Sequence, residues 1–338
     1  MKVLKALQRE DLSDAVQAKF ALVIPVLQAT LGSLARDRAQ RFGGYEHVTL
    51  ADLARETREG TGDAGICFEL AVHQAIEARN PLIHPLISEV LDEHMGIRDD
   101  ADSILFGPEK NHVIPILEST QDALTEESRV WVGNRGQPPK LKRYIPQIIN
   151  AFRRNEARNK LPRSISGIWK ADLFLGGKSI DRWLGTTVKI NPQQLVGAQG
   201  LRVGIYPKRN DQDTPRLDDD LNLLRIPLPY ETAFMEAFYK AFFLTRAFLK
   251  ADARVPPEIN LPDAEDRFVT RELEHRRQFT VTQVIGVLHD MAQQTLLETE
   301  PVTEIVPAAS LSEAGLQEAP RPEDISELIS LSPFARTA

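Results

Sequence analysis

The chain has 338 residues with 41 Lys and Arg against 48 Asp and Glu, a formal net charge of −7. Hydrophobic residues at 42% and charged residues at 26% are ordinary globular values, which excludes wholesale disorder, a collagen-like repeat or a coiled-coil rod. The acidic balance also excludes a protein that coats nucleic acid with its whole surface, because that mode needs a large excess of basic side chains.

The opening MKVLKALQREDLSDAVQAKF scatters its charges and has no uninterrupted apolar stretch, so no signal peptide is expected. From Leu4 to about Phe42, apolar residues at helical spacing (Phe20, Val23, Ile24, Leu27, Leu31) predict two helices, with Pro25 ending or kinking the first and Gly32 loosening the next. Thr49, with Asp52 three residues on, predicts the start of a short helix. DAGICFELAVHQAIEA then predicts a largely buried helix ending near Asn80-Pro81, because Ile66, Phe68, Leu70, Val72 and Ile76 spread around much of its circumference. The only cysteine, Cys67, lies in this helix; alone it makes neither an intrachain disulfide nor a cysteine zinc site, which fits a reducing cytoplasm.

A strand is expected over 102–106 and a helix over 115–124. The piece from Arg135 to Arg163 carries Lys140, Lys142, Arg143, Arg153, Arg154, Arg158 and Lys160 against the single acid Glu156, the strongest basic concentration in an acidic chain. Such a segment suits phosphate contacts, with Tyr144, Phe152 and Trp169 available for stacking; the competing reading is a solvated helical face.

Three strand-like runs follow: IWKADLFLG, DRWLGTTVKIN and GLRVGIYP. Gly176-Gly177 favours a hairpin turn between the first two, and Pro192 opens a short helical piece before the third. NDQDTPRLDDD reads as a polar loop, its three consecutive acids Asp218, Asp219 and Asp220 being more readily solvated than metal-binding. PYETAFMEAFYKAFFLTRAFLKA predicts a long helix whose aromatics serve a core or a dimer interface. No segment reaches the roughly 18 apolar residues of a membrane span; this greasiest one is interrupted by Glu236, Lys240 and Arg246. RFVTRELEHRRQ and the stretch from Thr280 to Leu297 predict further helices, and the Pro-, Glu- and Ser-rich end from Thr299 predicts a mobile tail.

Chemistry is most concentrated in two charged residues set in apolar strands, Asp172 and Lys189. A carboxylate in such a run is costly unless a cation meets it, either Mg²⁺ or the Lys189 ammonium in a structural ion pair. His73, four residues after Glu69, shares its helical face and is more readily a packed histidine than a proton carrier. Zincin, P-loop, nucleophile-elbow and dinucleotide motifs are absent from the sequence.

Gly65-x-x-Phe68-Glu69 on a helix, Lys170-Ala171-Asp172 on a strand and Thr187-Val188-Lys189 on the next resemble the restriction-endonuclease-like, or PD-(D/E)XK, nuclease superfamily over about 62–207. The resemblance implies an α/β fold, a small mixed sheet in the order helix, three strands, helix, strand, flanked by helical extensions. It divides the chain into a helical segment 1–61, the core 62–207 with an insertion over about 80–165, a helical region 208–298 and the tail 299–338. It further implies that Glu69 and Asp172 ligate Mg²⁺ or Mn²⁺, that the Val188 carbonyl adds a ligand, and that Lys189 positions the attacking water. Where the family has an acid two residues before the lysine this chain has Thr187, and Glu69 would replace it. The activity implied is cleavage of DNA in restriction or defence; cysteine usage and hydropathy add the expectation of a cytoplasmic protein with no membrane attachment, for which a homodimer or a protein partner is open. The alternatives are a non-catalytic nucleic-acid-binding or assembly subunit and a helical partner-binding protein.

Overall fold

Two α-helices lie in the opening segment as the sequence predicts, but they divide after Gly32 rather than at Pro25: the first, α1 (Asp14–Gly32), runs through the proline. Proline lacks the N–H that would reach the carbonyl of Ala21; the side-chain amide of Gln294 approaches that carbonyl at 3.4 Å and supplies a substitute donor. Burial on nearly every side holds the helix in place of that bond. In this computed structural model α1 is also, among the described residues, the one helix long and apolar enough to cross a membrane, a test no segment was expected to pass; 78% of that stretch is buried inside the fold. The structure describes residues 4–58, 64–106, 116–133, 137–195, 197, 199–230, 233–257, 261 and 263–297. The expected tail from Thr299 lies outside them.

After α2 (Arg36–Arg41), α3 (Leu50–Glu56) starts as expected behind Thr49, whose side chain accepts from the Asp52 amide. Helix α4 (Ala64–Glu77) buries Phe68, Leu70, Val72 and Ile76, and α5 (His84–Met95) closes on Gly96 in a left-handed conformation (φ 62°) that a side chain would strain. Strand β1 (Asp102–Leu105), α6 (Ile116–Ala123), β2 (Arg129–Trp131), α7 (Ile145–Arg153) and α8 (Asn155–Arg158) lead to β3 (Leu173–Gly177) and β4 (Arg182–Val188). A 3-10 turn at Pro192–Gln194, capped by the Asn191 side chain, precedes β5 (Arg202–Pro207).

The fold is mixed α/β with a seven-stranded sheet. Its order is β1-β3-β4-β5-β7-β6, with β2 beside the first half of β4; β6 is Arg216–Asp218 and β7 is Leu223–Leu228. Strand β6 corrects the reading of NDQDTPRLDDD as loop alone, since it lies within it; β7 follows just after. Pro227 disguises β7, yet its missing N–H is tolerated there and the strand runs parallel to β5. β1, β3 and β4 pair antiparallel and β5 runs parallel to β4, with α5 to α8 and β2 lying in the chain between α4 and β3.

Alternation sorts the sheet's side chains onto two cores. Leu173, Leu175, Leu184, Val188, Val203 and Ile205 join the larger one with α1, α4, α9 (Phe234–Lys250) and α11 (Val281–Met291), while Ile104, Phe174 and Trp183 face a smaller one with Ile148 and Phe152 of α7. The charged run at 267–278 is helical as expected through His275, within α10 (Ala264–His275), and Thr280 with Gln283 forms a capping box before α11.

Candidate functional site

Strand register builds the site. Leu173 pairs with Thr186, so Asp172, one residue ahead of β3 rather than within it, stands opposite Thr187 and shares its face of the sheet. The main chain fixes Asp172 on both sides: its amide donates to the Thr186 carbonyl at 2.7 Å and its carbonyl accepts from the Phe106 amide at 2.9 Å. Lys189 lies just past β4, its amide held by the Ile205 carbonyl at 2.9 Å. The parallel step from β4 to β5 thus ends where the two charged side chains begin.

Three elements meet here. The Lys189 ammonium donates to Asp172 Oδ2 at 2.8 Å and to Glu69 Oε1, from α4, at 2.9 Å. Asp172 Oδ2 also accepts from the Val188 amide at 2.9 Å and from Thr187 Oγ1 at 3.0 Å. In an extended residue N–H and C=O point the same way, so the Val188 carbonyl lies on the Asp172 side of the strand. Glu69 is 8% and Asp172 5% exposed, whereas the lysine side chain keeps 28% of its surface and opens the group to solvent. Burial alone would depress the Lys189 ammonium. The charges of Asp172 and Glu69, and hydrogen bonds to both, outweigh it and hold the group above its ordinary value.

Sequence reasoning missed Arg202. It is 2% exposed at the start of β5, donates from Nη2 to the carbonyls of Val132 (3.1 Å) and Gly167 (3.2 Å), and feels the charge of Asp172; burial lowers its pKa and that charge opposes the shift. The signal was present, since Arg202 is a charge opening an apolar strand in the same way that Asp172 and Lys189 interrupt theirs. Arg202 thus adds a second base, fully buried, to the half-buried Lys189 beside Asp172.

The oxygen donors are the hard type that suits Mg²⁺: two carboxylates from separate elements and a strand carbonyl beside them. Thr187 offers only a neutral oxygen, and no group of three or more His, Cys, Asp or Glu side chains capable of holding a metal occurs among the described residues. His73 stays outside the cluster. Its Nδ1 is 3.0 Å from Ser103 Oγ, and burial pushes its pKa down to about 4, the behaviour of a packed neutral imidazole.

The basic segment divides. Lys140 pairs with Glu127, and Lys142 donates to the Leu124 carbonyl at 2.9 Å just past the end of α6, so both have partners within the protein. Arg143 and Arg154 are exposed; the Arg153 side chain lies outside the described residues. Phe152 is not available for stacking, being buried edge-on to Trp169 at 4.6 Å, while Arg158 covers the Trp169 ring at 4.6 Å. Asp218 pairs with Arg225 at 3.0 Å, and Asp219 and Asp220 are exposed. Comparison with protein-family models, with curated proteins and with solved structures finds no match to this chain.

Proposed function

We propose that the chain is a metal-dependent nuclease that hydrolyses DNA phosphodiesters from a restriction-endonuclease-like core, in the cytoplasm and in restriction or defence against foreign DNA. The observation that carries this reading is the meeting of Glu69 from a helix with Asp172 and Lys189 from the ends of two paired strands, within hydrogen-bond reach at a partly open end of the sheet. Glu69 and Asp172, with the Val188 carbonyl, are the residues that would hold Mg²⁺ or Mn²⁺, and the ion would supply Lewis-acid stabilisation of charge on the scissile phosphate. Lys189 offers a charged donor at the same point, for a phosphate oxygen or the attacking water. Thr187 and the Val188 amide hold Asp172 in one orientation, and exposed Arg143 and Arg154 offer charge to the phosphate backbone.

A second reading is a nucleic-acid-binding or assembly subunit without cleavage. It is favoured by the Lys189 ammonium already satisfying both carboxylates and by Thr187 in the place of an acid. The deciding experiment incubates the purified full chain with plasmid and linear DNA in Mg²⁺ or Mn²⁺, beside Asp172→Ala, Glu69→Gln and Lys189→Ala checked for folding by circular dichroism. Cleavage by the wild type that all three folded variants lose supports the nuclease. No cleavage with either metal, together with variants that only lower the melting temperature, leaves an ion-paired structural cluster.

A further inference from the structure

Helix α9 buries Phe234, Phe238, Ala241, Leu244 and Phe248, yet Phe243 on its opposite side keeps 65% of its surface exposed. Phe243 is the most exposed of the large hydrophobic side chains among the described residues. It stacks on Tyr239 (ring centres 6.4 Å apart) and, with Leu244, Ala247, Leu261 and the half-exposed Tyr230, lines a groove of about 780 Å³. An aromatic ring left in water beside an apolar groove marks a surface that gains by being covered.

The outward stripe of α9 reads Glu236, Lys240, Phe243, Ala247 and Lys250, alternating steps of four and three, which is the spacing of a helix-pairing seam. Glu236 lies two helical turns before Phe243 and Lys250 two turns after it. A parallel partner would set like charge on like at both ends. An antiparallel partner centred on Phe243 sets Glu236 of each copy toward Lys250 of the other and the two Phe243 rings against each other, with Ala247 of each copy near Lys240 of the other. Lys240 is already paired with Glu236 of its own helix at 3.2 Å. The stripe is therefore complementary to itself under a two-fold axis, the requirement of a closed dimer.

We propose that this face of α9 is a self-association surface whose occupant is α9 of a second copy of this chain, packed antiparallel. The 17 residues of α9 span about 25 Å, and Tyr230 and Leu261 beside them widen the apolar face beyond one helix. Glu69, Asp172 and Lys189 do not line this groove, and the inference stands independently of the nuclease reading.

Sedimentation velocity of the full chain, free of nucleic acid and taken into the high micromolar range, tests it. A monomer–dimer equilibrium is expected. Phe243→Asp should raise its Kd by about 30-fold or more with the melting temperature unchanged, and Phe243→Ala should act in the same direction. Glu236→Lys and Lys250→Glu should each weaken the dimer, and the two together should bring Kd back to within about threefold of wild type. A monomer at every concentration overturns the proposal and leaves the groove to a different partner. A dimer indifferent to Phe243 overturns it in favour of another face, and a double reversal that stays weak overturns the antiparallel arrangement.

Discussion

The Lys189 ammonium lies 2.8 Å from Asp172 Oδ2, an oxygen that also accepts from the Val188 amide and from Thr187 Oγ1. One carboxylate oxygen is thus the point where charge from one side chain and main-chain order from the next strand meet. Lys189→Met should leave Glu69 and Asp172 buried without their shared cation, at a cost of about 2–4 kcal/mol in urea unfolding. Glu69→Gln combined with Lys189→Met should cost less than the sum of the two single changes, because each alone already removes the Lys189–Glu69 ion pair. Additive losses would mean that the three groups do not form one electrostatic unit.

How far the sequence discloses this site follows from what kind of signal each residue gives. Asp172 and Lys189 stand out because each breaks an apolar run, and the register of β3 against β4 then brings them together as alternation requires. Glu69 carries no such mark, since a glutamate on a helix is ordinary; only the packing of α4 against the sheet gives it a role. Arg202 gives the same kind of mark as Asp172 but pairs with carbonyls of Val132 and Gly167, far away in sequence, which no local pattern discloses.

The fold was legible where period and caps agree and obscure where proline intervenes. Thr49 and Thr280 open their helices through local hydrogen bonds, which depend on few residues. Pro25 was misleading because its penalty is met from elsewhere, Gln294 reaching the carbonyl left without a donor, and Pro227 is carried in β7 by that strand's pairing with β5 and β6. Tertiary contacts override local propensity at both positions.

The basic segment should contribute to DNA affinity through its exposed members only. Arg143→Gln and Arg154→Gln should each flatten the log–log salt dependence of binding, by about one unit for every phosphate no longer neutralised. Lys142→Met should leave that slope unchanged and lower stability by about 0.5–1.5 kcal/mol, because it removes the donor to the Leu124 carbonyl. Fluorescence anisotropy over a salt series, with a urea melt of each variant, separates the two roles; a slope lowered by Lys142→Met would return that lysine to the binding surface.

His73 makes stability depend on pH in a stated direction. Its pKa falls from 6.5 to about 4 on folding, so below its ordinary pKa the unfolded chain takes up a proton that the folded one refuses. The contribution is complete above about pH 6.5 and is lost as pH falls toward about 4, with an upper bound of about 3 kcal/mol. His73→Gln keeps a polar partner for Ser103 and removes the titration. The stability difference between wild type and this variant, from urea melts across that range, should shift against the wild type as pH falls; a constant difference would show that His73 does not resist protonation.

Thr187→Glu puts an acid where the resembled family has one, beside an Asp172 that the threonine hydroxyl now holds at 3.0 Å. Without metal, a third carboxylate next to two buried ones has one ammonium to share, and the variant should lose about 1–3 kcal/mol relative to wild type. Divalent metal reverses the balance if this end of the sheet is a cation site, because each added carboxylate strengthens a hard-donor set. Melting temperature with and without millimolar Mg²⁺ is the measurement. Mg²⁺ should stabilise Thr187→Glu more than wild type, the gain should vanish when Asp172→Ala is added, and cleavage should persist or rise. Equal response to Mg²⁺ in the two proteins, with the added acid only destabilising, would mark Glu69, Asp172 and Lys189 as a closed ion-pair network with no place for a metal.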